Sequence, residues 1–219
     1  MTADTQAARP GPTVICVGPY FLSDGTAVEI RPIRRDDSER LRAAHARLSP
    51  ESRYRRFLGA KPILSAGDVE YLVDIDGSDH FALVGTAPDG RDEPIVAVAR
   101  FVRLADDPAA AEFAIVVGDS YQRQGLACEL LARLAAAARE RGVERFRAAI
   151  LSDNVAIHRL IDGLADGEIA AAHSGSVSEV EFALPGQTAQ GPVPRPPRAR
   201  TRGVRSSRRA LEADRSLRT

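Results

Sequence analysis

One stretch of the chain, Ala111 to Glu129, constrains the fold more than any other. It reads AEFAIVVGDSYQRQGLACE, an apolar segment with one acid, followed by a glycine turn and the start of a helix. The first amides of a helix have no intrahelical partner, and the helix dipole gives that end partial positive charge. A strand that feeds such a turn is therefore a candidate anion site. Gly125 has no Cβ, so a phosphate could approach the backbone closely there.

Two common phosphate-binding patterns are excluded for this stretch. A P-loop requires Gly-Lys-Ser/Thr, and the dinucleotide fingerprint requires three glycines at fixed spacing. The stretch has neither pattern. It carries instead Gln122-x-x-Gly125-x-Ala127 directly after an apolar strand.

At these residues the chain resembles the GNAT acetyltransferases, whose signature is Gln/Arg-x-x-Gly-x-Gly/Ala after such a strand. The resemblance extends over roughly residues 27–184. The segment Leu48 to Phe57 also resembles the corresponding helix of bacterial GNAT domains that acetylate protein lysines. The resemblance implies an acyl-CoA N-acyltransferase fold, acetyl-CoA as cosubstrate, and an amine acceptor, either a protein lysine or a small amine.

The resemblance also implies which residues hold acetyl-CoA. In the family, backbone amides of the turn grip the pyrophosphate, and the end of the strand pairs with the amide arm of CoA. The positions that this assigns are Val116, Val117, Gln122, Arg123, Gln124, Gly125, Leu126, Ala127 and Asn154. Two of these positions have another explanation: Asn154 as a helix cap, and Arg123 as an ordinary surface residue.

Glu112 is the candidate catalytic residue, because it is an acid inside an otherwise apolar strand. A lysine ε-amine has a pKa of about 10.4, so transfer at neutral pH needs a base that accepts a proton. Strand geometry places Glu112 on the same face as Ala114 and Val116. Family members that modify proteins resemble this arrangement, with a glutamate at this position. The alternative is a solvent-facing acid near a strand end.

The general acid is not evident in the sequence. Many relatives carry a tyrosine on the helix that follows the strand predicted at residues 145–151, whereas this chain has no tyrosine after Tyr121. His158, one helical turn after Asn154, is either a substitute or a solvated histidine. Cys128 is interpreted as a packing residue of the central helix, because no base accompanies it.

Hydrophobic periodicity predicts the order β, α, α, α, β, β, β, α, β, α, β, β from residue 27 onward. Antiparallel neighbours followed by one β-α-β crossover make an α+β fold, with a mixed, mostly antiparallel sheet flanked by helices. The first three helices are expected to begin near Asp36 or Asp37, at Ser49 and at Gly67. The central helix is expected over residues 124–141, with its buried stripe at Leu126, Leu130, Leu134 and Ala138. In the resembling family, the strands corresponding to residues 111–117 and 145–151 splay apart.

Three parts of the chain are predicted. Residues 1–26 read as a loose arm with one short strand at Thr13 to Val17, and residues 27–185 read as the GNAT domain. Residues 186–219 read as a disordered tail rich in arginine and proline. The tail holds nine arginines against two acids, so the zero net charge conceals an acidic domain and a basic tail.

Composition excludes several other classes. The chain has no run of eighteen apolar residues and no secretory signal, so a cytoplasmic location is expected. Its two cysteines, Cys16 and Cys128, lack metal-type spacing, and no metal is expected. Two other interpretations remain: a non-catalytic acyl-CoA-binding module, and weak nucleic-acid binding by the basic tail, which lacks aromatic residues for base stacking.

Overall fold

The computed structural model describes residues 17–88 and 92–186. The first sixteen residues of the expected arm, and the expected tail from residue 187, lie outside the described residues. Within the described ranges, no helix is both long and apolar enough to cross a membrane.

The described residues contain eight strands, all in one sheet. They are β1 (Gly18–Phe21), β2 (Ala27–Pro32), β3 (His80–Thr86), β4 (Ile95–Arg103), β5 (Ala110–Val117), β6 (Arg145–Leu151), β7 (Ala170–Ser174) and β8 (Val177–Ala183). Their spatial order is β1-β2-β3-β4-β5-β6-β8-β7. Neighbouring strands are antiparallel except for β5 and β6, which are parallel. The predicted mixed, mostly antiparallel sheet is confirmed.

The same part of the chain forms five α-helices that cover the two faces of the sheet. They are α1 (Ser38–Arg47), α2 (Pro50–Phe57), α3 (Ala66–Val73), α4 (Leu126–Glu140) and α5 (Val155–Leu164). One core cluster joins α4 and α5 to residues such as Phe101, Phe113 and Phe146. A second, smaller cluster joins α1, α2 and α3 to Val84 and Val98 on the opposite face.

The start of α2 was predicted correctly, because its signal is local. Ser49 is the N-cap, its side chain accepts a hydrogen bond from the Ser52 amide at 3.1 Å, and Pro50 occupies the first turn. The predicted start of α3 at Gly67 is one residue late, since the helix begins at Ala66 with Ser65 as its N-cap. Asp37 does precede α1, but its side chain makes no capping bond to that helix.

The first strand of the sheet was not predicted. Residues 1–26 were interpreted as a loose arm, yet β1 pairs with β2 from Gly18↔Ile30 to Phe21↔Ala27. A strand was also predicted at Thr13 to Val17. Val17 is not part of a strand, and the other four residues lie outside the described residues. Glycine and proline in GPYF hide the alternation of this short strand, so pairing with a neighbour decides it.

The central helix α4 has the predicted buried stripe, since Leu126, Leu130, Leu134 and Ala138 are all buried. It begins two residues later than predicted, however, with Gly125 at the N-cap. The preceding Asp119 to Tyr121 forms a single 3-10 turn. Gln124 therefore belongs to the turn rather than to the helix.

The pairing of β5 with β6 is confined to their first residues. It runs from Ala110↔Arg145 to Glu112↔Arg147 and no further. On its other side, β5 pairs with β4 along its length, from Ala111 to Val117. Beyond Glu112 the two parallel strands therefore separate, as the family resemblance implied.

Candidate functional site

The diverging carboxyl ends of β5 and β6 leave a gap in the sheet. Each of these strands leads into a helix, β5 into α4 and β6 into α5, so both helix N-termini lie at the same edge. In open α/β sheets, ligands bind in the crevice at the carboxyl ends of the strands. The gap, here called the β5–β6 cleft, is the candidate site.

The turn between β5 and α4 presents backbone amides at the mouth of this cleft. Arg123 and Gly125 both have positive φ, +61° and +85°, which reverse the chain before the helix. No side chain caps the start of α4. Since the first amides of a helix have no intrahelical acceptor, this turn has the donors and the dipole of an anion site.

Gly125 is required at this turn for two structural reasons. Its φ of +85° lies in the region that side chains rarely adopt. A Cβ there would also overlap the hydroxyl group of Tyr20 on β1. The expected reason for Gly125 was close approach of a phosphate; in the structure, Tyr20 occupies the position that a Cβ would take.

The two predicted glutamines shape the turn through their side chains. Gln122 donates from Nε2 to the Val117 carbonyl oxygen at 3.1 Å and to Ser52 Oγ at 3.2 Å. Gln124 donates from Nε2 to the Ser120 carbonyl oxygen at 3.1 Å. Its Oε1 is buried and has no hydrogen-bond partner within the described residues.

The two predicted valines present their backbones in opposite directions. The Gly118 amide donates to the Val96 carbonyl oxygen at 2.7 Å, which places residue 118 in a hydrogen-bonded pair with β4. Pairs alternate along an antiparallel ladder, so the Val116 backbone also faces β4, whereas those of Ile115 and Val117 face the cleft. The backbone groups of Val117 thus point into the cleft, whereas those of Val116 are used in pairing with β4.

Glu112 stands where the cleft begins. It is half-buried and is the last residue of β5 that pairs with β6, with Arg147 as its partner there. Arg147 in turn contacts Glu181 through Nε–Oε2 at 2.6 Å and Asp107 through Nη2–Oδ2 at 3.3 Å. The face that Glu112 shares with Val116 is the one that α2 covers, because Val116 packs on the cluster that contains Phe57.

A buried arginine near this position was missed by the sequence argument. Arg100 on β4 pairs in register with Ala114, is 5% exposed, and lies on the same face as Glu112. Its guanidinium group lies 3.0 Å from His80 Nε2 and donates to the Leu72 carbonyl oxygen at 3.1 Å. Burial, together with the positive charge of Arg100, lowers the pKa of His80 to about 4. The available signal was an arginine inside the apolar strand IVAVARFVR.

Asp119 is the second residue that the sequence argument missed. Its carboxylate accepts hydrogen bonds from the Ser49 amide at 2.8 Å, from Ser49 Oγ at 2.8 Å and from Ser52 Oγ at 2.7 Å. Burial opposes ionisation, but these bonds outweigh it and hold the pKa of Asp119 below its ordinary value. The two partners are the N-cap and a first-turn residue of α2, about seventy residues away in sequence, so no local pattern could reveal the contact.

The remaining sequence candidates lie at helix starts. Asn154 is the N-cap of α5, and its Oδ1 accepts from the Ile157 amide at 3.4 Å. His158 is half-buried one turn further on. Cys128 is exposed in the first turn of α4, so its interpretation as a packing residue is wrong.

A mixed sheet that opens beside a helix N-terminus is the architecture of the acyl-CoA N-acyltransferases. The chain matches the model of the Acetyltransferase (GNAT) family over residues 45–162, more than half of its length. It therefore belongs to the GNAT acetyltransferase family.

Individual relatives agree with this membership. The chain is 36% identical over 155 residues to the acetyltransferase Pat of Mycolicibacterium smegmatis, covering 71% of this chain and 44% of that relative. The GNAT domain of S. lividans PAT is 34% identical, with a TM-score of 0.68 over 78% of this chain and 99% of that domain. The fold is also that of yncA from Salmonella typhimurium, solved with its cofactor acetyl-CoA, at 18% identity and a TM-score of 0.51 over 75% and 98% of the two chains.

Proposed function

We propose that this chain is an N-acetyltransferase that moves the acetyl group of acetyl-CoA to an amine, with a protein lysine as the acceptor. The observation that carries the proposal is the β5–β6 cleft, with the turn before α4 at its mouth and Glu112 at its closed end. Family membership supports the reaction class, and the likeness of residues 48–57 to lysine-modifying domains supports the acceptor class.

The donor would lie with its phosphates at the N-terminus of α4. The amides of Leu126 and Ala127 are not used within the helix, so they are available to phosphate oxygens. Arg123 is exposed beside them and adds positive charge. The amide-bearing arm of the donor would then run along the cleft, where Ile115 and Val117 offer backbone groups. Asn154 lies at the same edge of the sheet.

Glu112 would act on the acceptor. Its carboxylate accepts a proton from the ammonium group, and the free amine then attacks the thioester carbonyl carbon. A backbone amide that faces the cleft would stabilise the oxyanion that forms on the carbonyl oxygen. The nitrogen then releases its second proton to water and the carbon–sulfur bond breaks. The departing thiolate takes a proton from water, so no side-chain acid is required.

Binding and turnover test the proposal separately. Acetyl-CoA at a hundredfold excess over its dissociation constant should raise the free energy of unfolding by about 2.7 kcal/mol. Free acetate at the same concentration is the control ligand and should give no rise. Release of CoA should then depend on added lysine-containing protein or peptide.

Three results would revise the proposal in different ways. Binding without CoA release to any amine would favour a non-catalytic acyl-CoA-binding module. Release with small amines but not with protein lysines would retain the reaction and change the acceptor. Absence of acetyl-CoA binding would overturn the proposal.

A further inference from the structure

The carboxylate of Asp119 links the N-terminus of α2 to the turn before α4. Asp119 accepts three hydrogen bonds from Ser49 and Ser52, at 2.7 to 2.8 Å, across about seventy residues of sequence. Ser49 is at the same time the N-cap of α2. A negative charge at this position is also favoured by the dipole of α2. The carboxylate thus completes the cap of a helix to which it does not belong.

The same hydrogen-bond chain continues to the cleft. Ser52 Oγ donates to Asp119 and accepts from Gln122 Nε2 at 3.2 Å. Gln122 Nε2 also donates to the carbonyl oxygen of Val117, which faces the cleft. The turn before α4, whose amides are proposed to bind phosphate, is therefore connected to α2 through two of its residues, Asp119 and Gln122.

The helix at the other end of this connection covers the face of Glu112. Glu112 and Val116 lie on the same face of β5. Val116 packs against the cluster that contains Phe57 of α2. On its outer side α2 exposes Tyr54 and Arg55. The turn is thus hydrogen-bonded to a helix that borders the proposed acceptor side.

We propose that Asp119 is a positioning residue that couples occupancy of the α4 turn to the order and placement of α2. The inference rests on the proposed function, because acetyl-CoA is the ligand that would occupy the turn. When phosphates hold the amides of Leu126 and Ala127, the turn is fixed, and Asp119 and Gln122 fix the N-terminus of α2 in turn. The acceptor side of the cleft is then completed only after the donor has bound.

Amide hydrogen exchange, measured with and without acetyl-CoA, tests the coupling. In the wild-type chain, acetyl-CoA should slow exchange both in the turn at residues 123–128 and in α2 at residues 53–57. In Asp119→Asn, an NH₂ group replaces one carboxylate oxygen. It cannot accept the hydrogen bonds that this oxygen accepts in the wild-type chain. The substitution should reduce the ligand-induced protection of α2 by about tenfold or more, since hydrogen bonds to a charged group have that magnitude. Protection of residues 123–128 should remain.

Matched variants separate coupling from general damage. Ser52→Ala removes the hydroxyl group that joins Asp119 to Gln122, and Ser52→Thr restores a hydroxyl group at that position. Ser52→Ala should lose the ligand-induced protection of α2, and Ser52→Thr should retain it. Asp106→Asn changes an exposed aspartate before β5, at the opposite end of that strand, and should behave as wild type. If Asp119→Asn fails to fold, the pair at Ser52 still decides the question.

The possible outcomes distinguish this inference from the proposed function. Protection of residues 123–128 without protection of α2 in the wild-type chain would overturn the coupling and leave donor binding intact. Unchanged protection of α2 in both Asp119→Asn and Ser52→Ala would overturn it as well. Absence of protection in every region would mean that acetyl-CoA does not bind, and both proposals would fall.

Discussion

The hydroxyl group of Tyr20 lies against Gly125, where a side chain at residue 125 would begin, and donates to the Gln124 carbonyl oxygen at 3.4 Å. Burial, with smaller contributions from Glu129 and Cys128, raises the pKa of Tyr20, so the hydroxyl group stays protonated and remains a donor. A residue of the edge strand β1 thus supports the turn before α4, where the donor phosphates are proposed to bind.

This contact predicts the effect of adding a side chain at the turn. Gly125→Ala should lower the free energy of unfolding by roughly 1–3 kcal/mol, because the residue has positive φ and its methyl group would overlap Tyr20 Oη. It should also weaken acetyl-CoA binding. Chemical denaturation and calorimetry measure the two effects.

A double variant isolates the role of the hydroxyl group. Tyr20→Phe removes that atom, so Gly125→Ala should cost less stability in the Tyr20→Phe background than in wild type. The cost of the positive φ remains in both backgrounds. An equal cost in the two backgrounds would show that Tyr20 does not obstruct residue 125.

The position of Glu112 at the closed end of the cleft predicts a pH-dependent loss of turnover. Glu112→Gln keeps the shape of the side chain and removes the base, which should reduce the rate by ~10²–10⁴ at neutral pH. The loss should shrink as the pH rises toward the pKa of the amine, because unprotonated acceptor becomes plentiful. Turnover against pH for both proteins is the measurement.

Glu179→Gln is the matched control for this experiment, since Glu179 is a half-buried glutamate of β8 on the same face of the sheet. It should leave the profile unchanged. Acetyl-CoA affinity should also change little in Glu112→Gln. Parallel pH profiles for Glu112→Gln and wild type would refute the assignment of the base.

The lowered pKa of His80 predicts how the free energy of unfolding depends on pH. Its pKa is about 4 in the folded chain, because of burial and Arg100, and about 6.5 when unfolded. Between these values the unfolded state binds the additional proton, so stability should fall as the pH falls from about 6.5 to about 4. The contribution is roughly 1–3 kcal/mol, allowing for the partial exposure of the ring. Melting curves across this range should show a shallower fall for His80→Gln than for wild type, whereas exposed His173→Gln should match wild type.

A second acid-sensitive contact holds β2 to the turn before α1. Arg31 makes a bidentate pair with Asp37, at 2.7 Å to each carboxylate oxygen, and the Asp37 side chain is fully buried. Burial opposes ionisation, yet the bonds from Arg31 and from the Arg34 amide keep the pKa of Asp37 below its usual range. Its stabilisation is therefore present above the unfolded pKa of about 3.9 and is lost as the pH falls through the lower folded pKa.

Removing this carboxylate should be costly at neutral pH. Asp37→Asn leaves Arg31 without its counter-charge and should lower the free energy of unfolding by about 3–5 kcal/mol. Asp36→Asn, at the exposed neighbouring acid, should change it little. Equal losses in the two variants, measured by urea denaturation, would contradict the role assigned to the Arg31–Asp37 pair.

Local chemistry explains what could be predicted from the sequence. The order of elements from residue 27 follows from periodicity, the start of α2 from the Ser49-Pro50 cap, and the buried stripe of α4 from its four-residue repeat. Each of these signals lies within one element or its cap. The glycine turn before α4 was recognisable for the same reason, as was the single acid of β5.

Tertiary structure decided the rest, because the relevant contacts join residues that are far apart in sequence. Tyr20 lies against Gly125 only after β1 joins the sheet, and Asp119 meets Ser49 only after α2 packs beside the turn. The ladder register decided that the Val117 backbone faces the cleft and that of Val116 faces β4. Likewise, the buried Arg100 contacts His80 and the Leu72 carbonyl oxygen, which are 20 and 28 residues away in sequence. A sequence specifies such partners through the whole fold, since a buried polar group must find its hydrogen bonds wherever packing brings them.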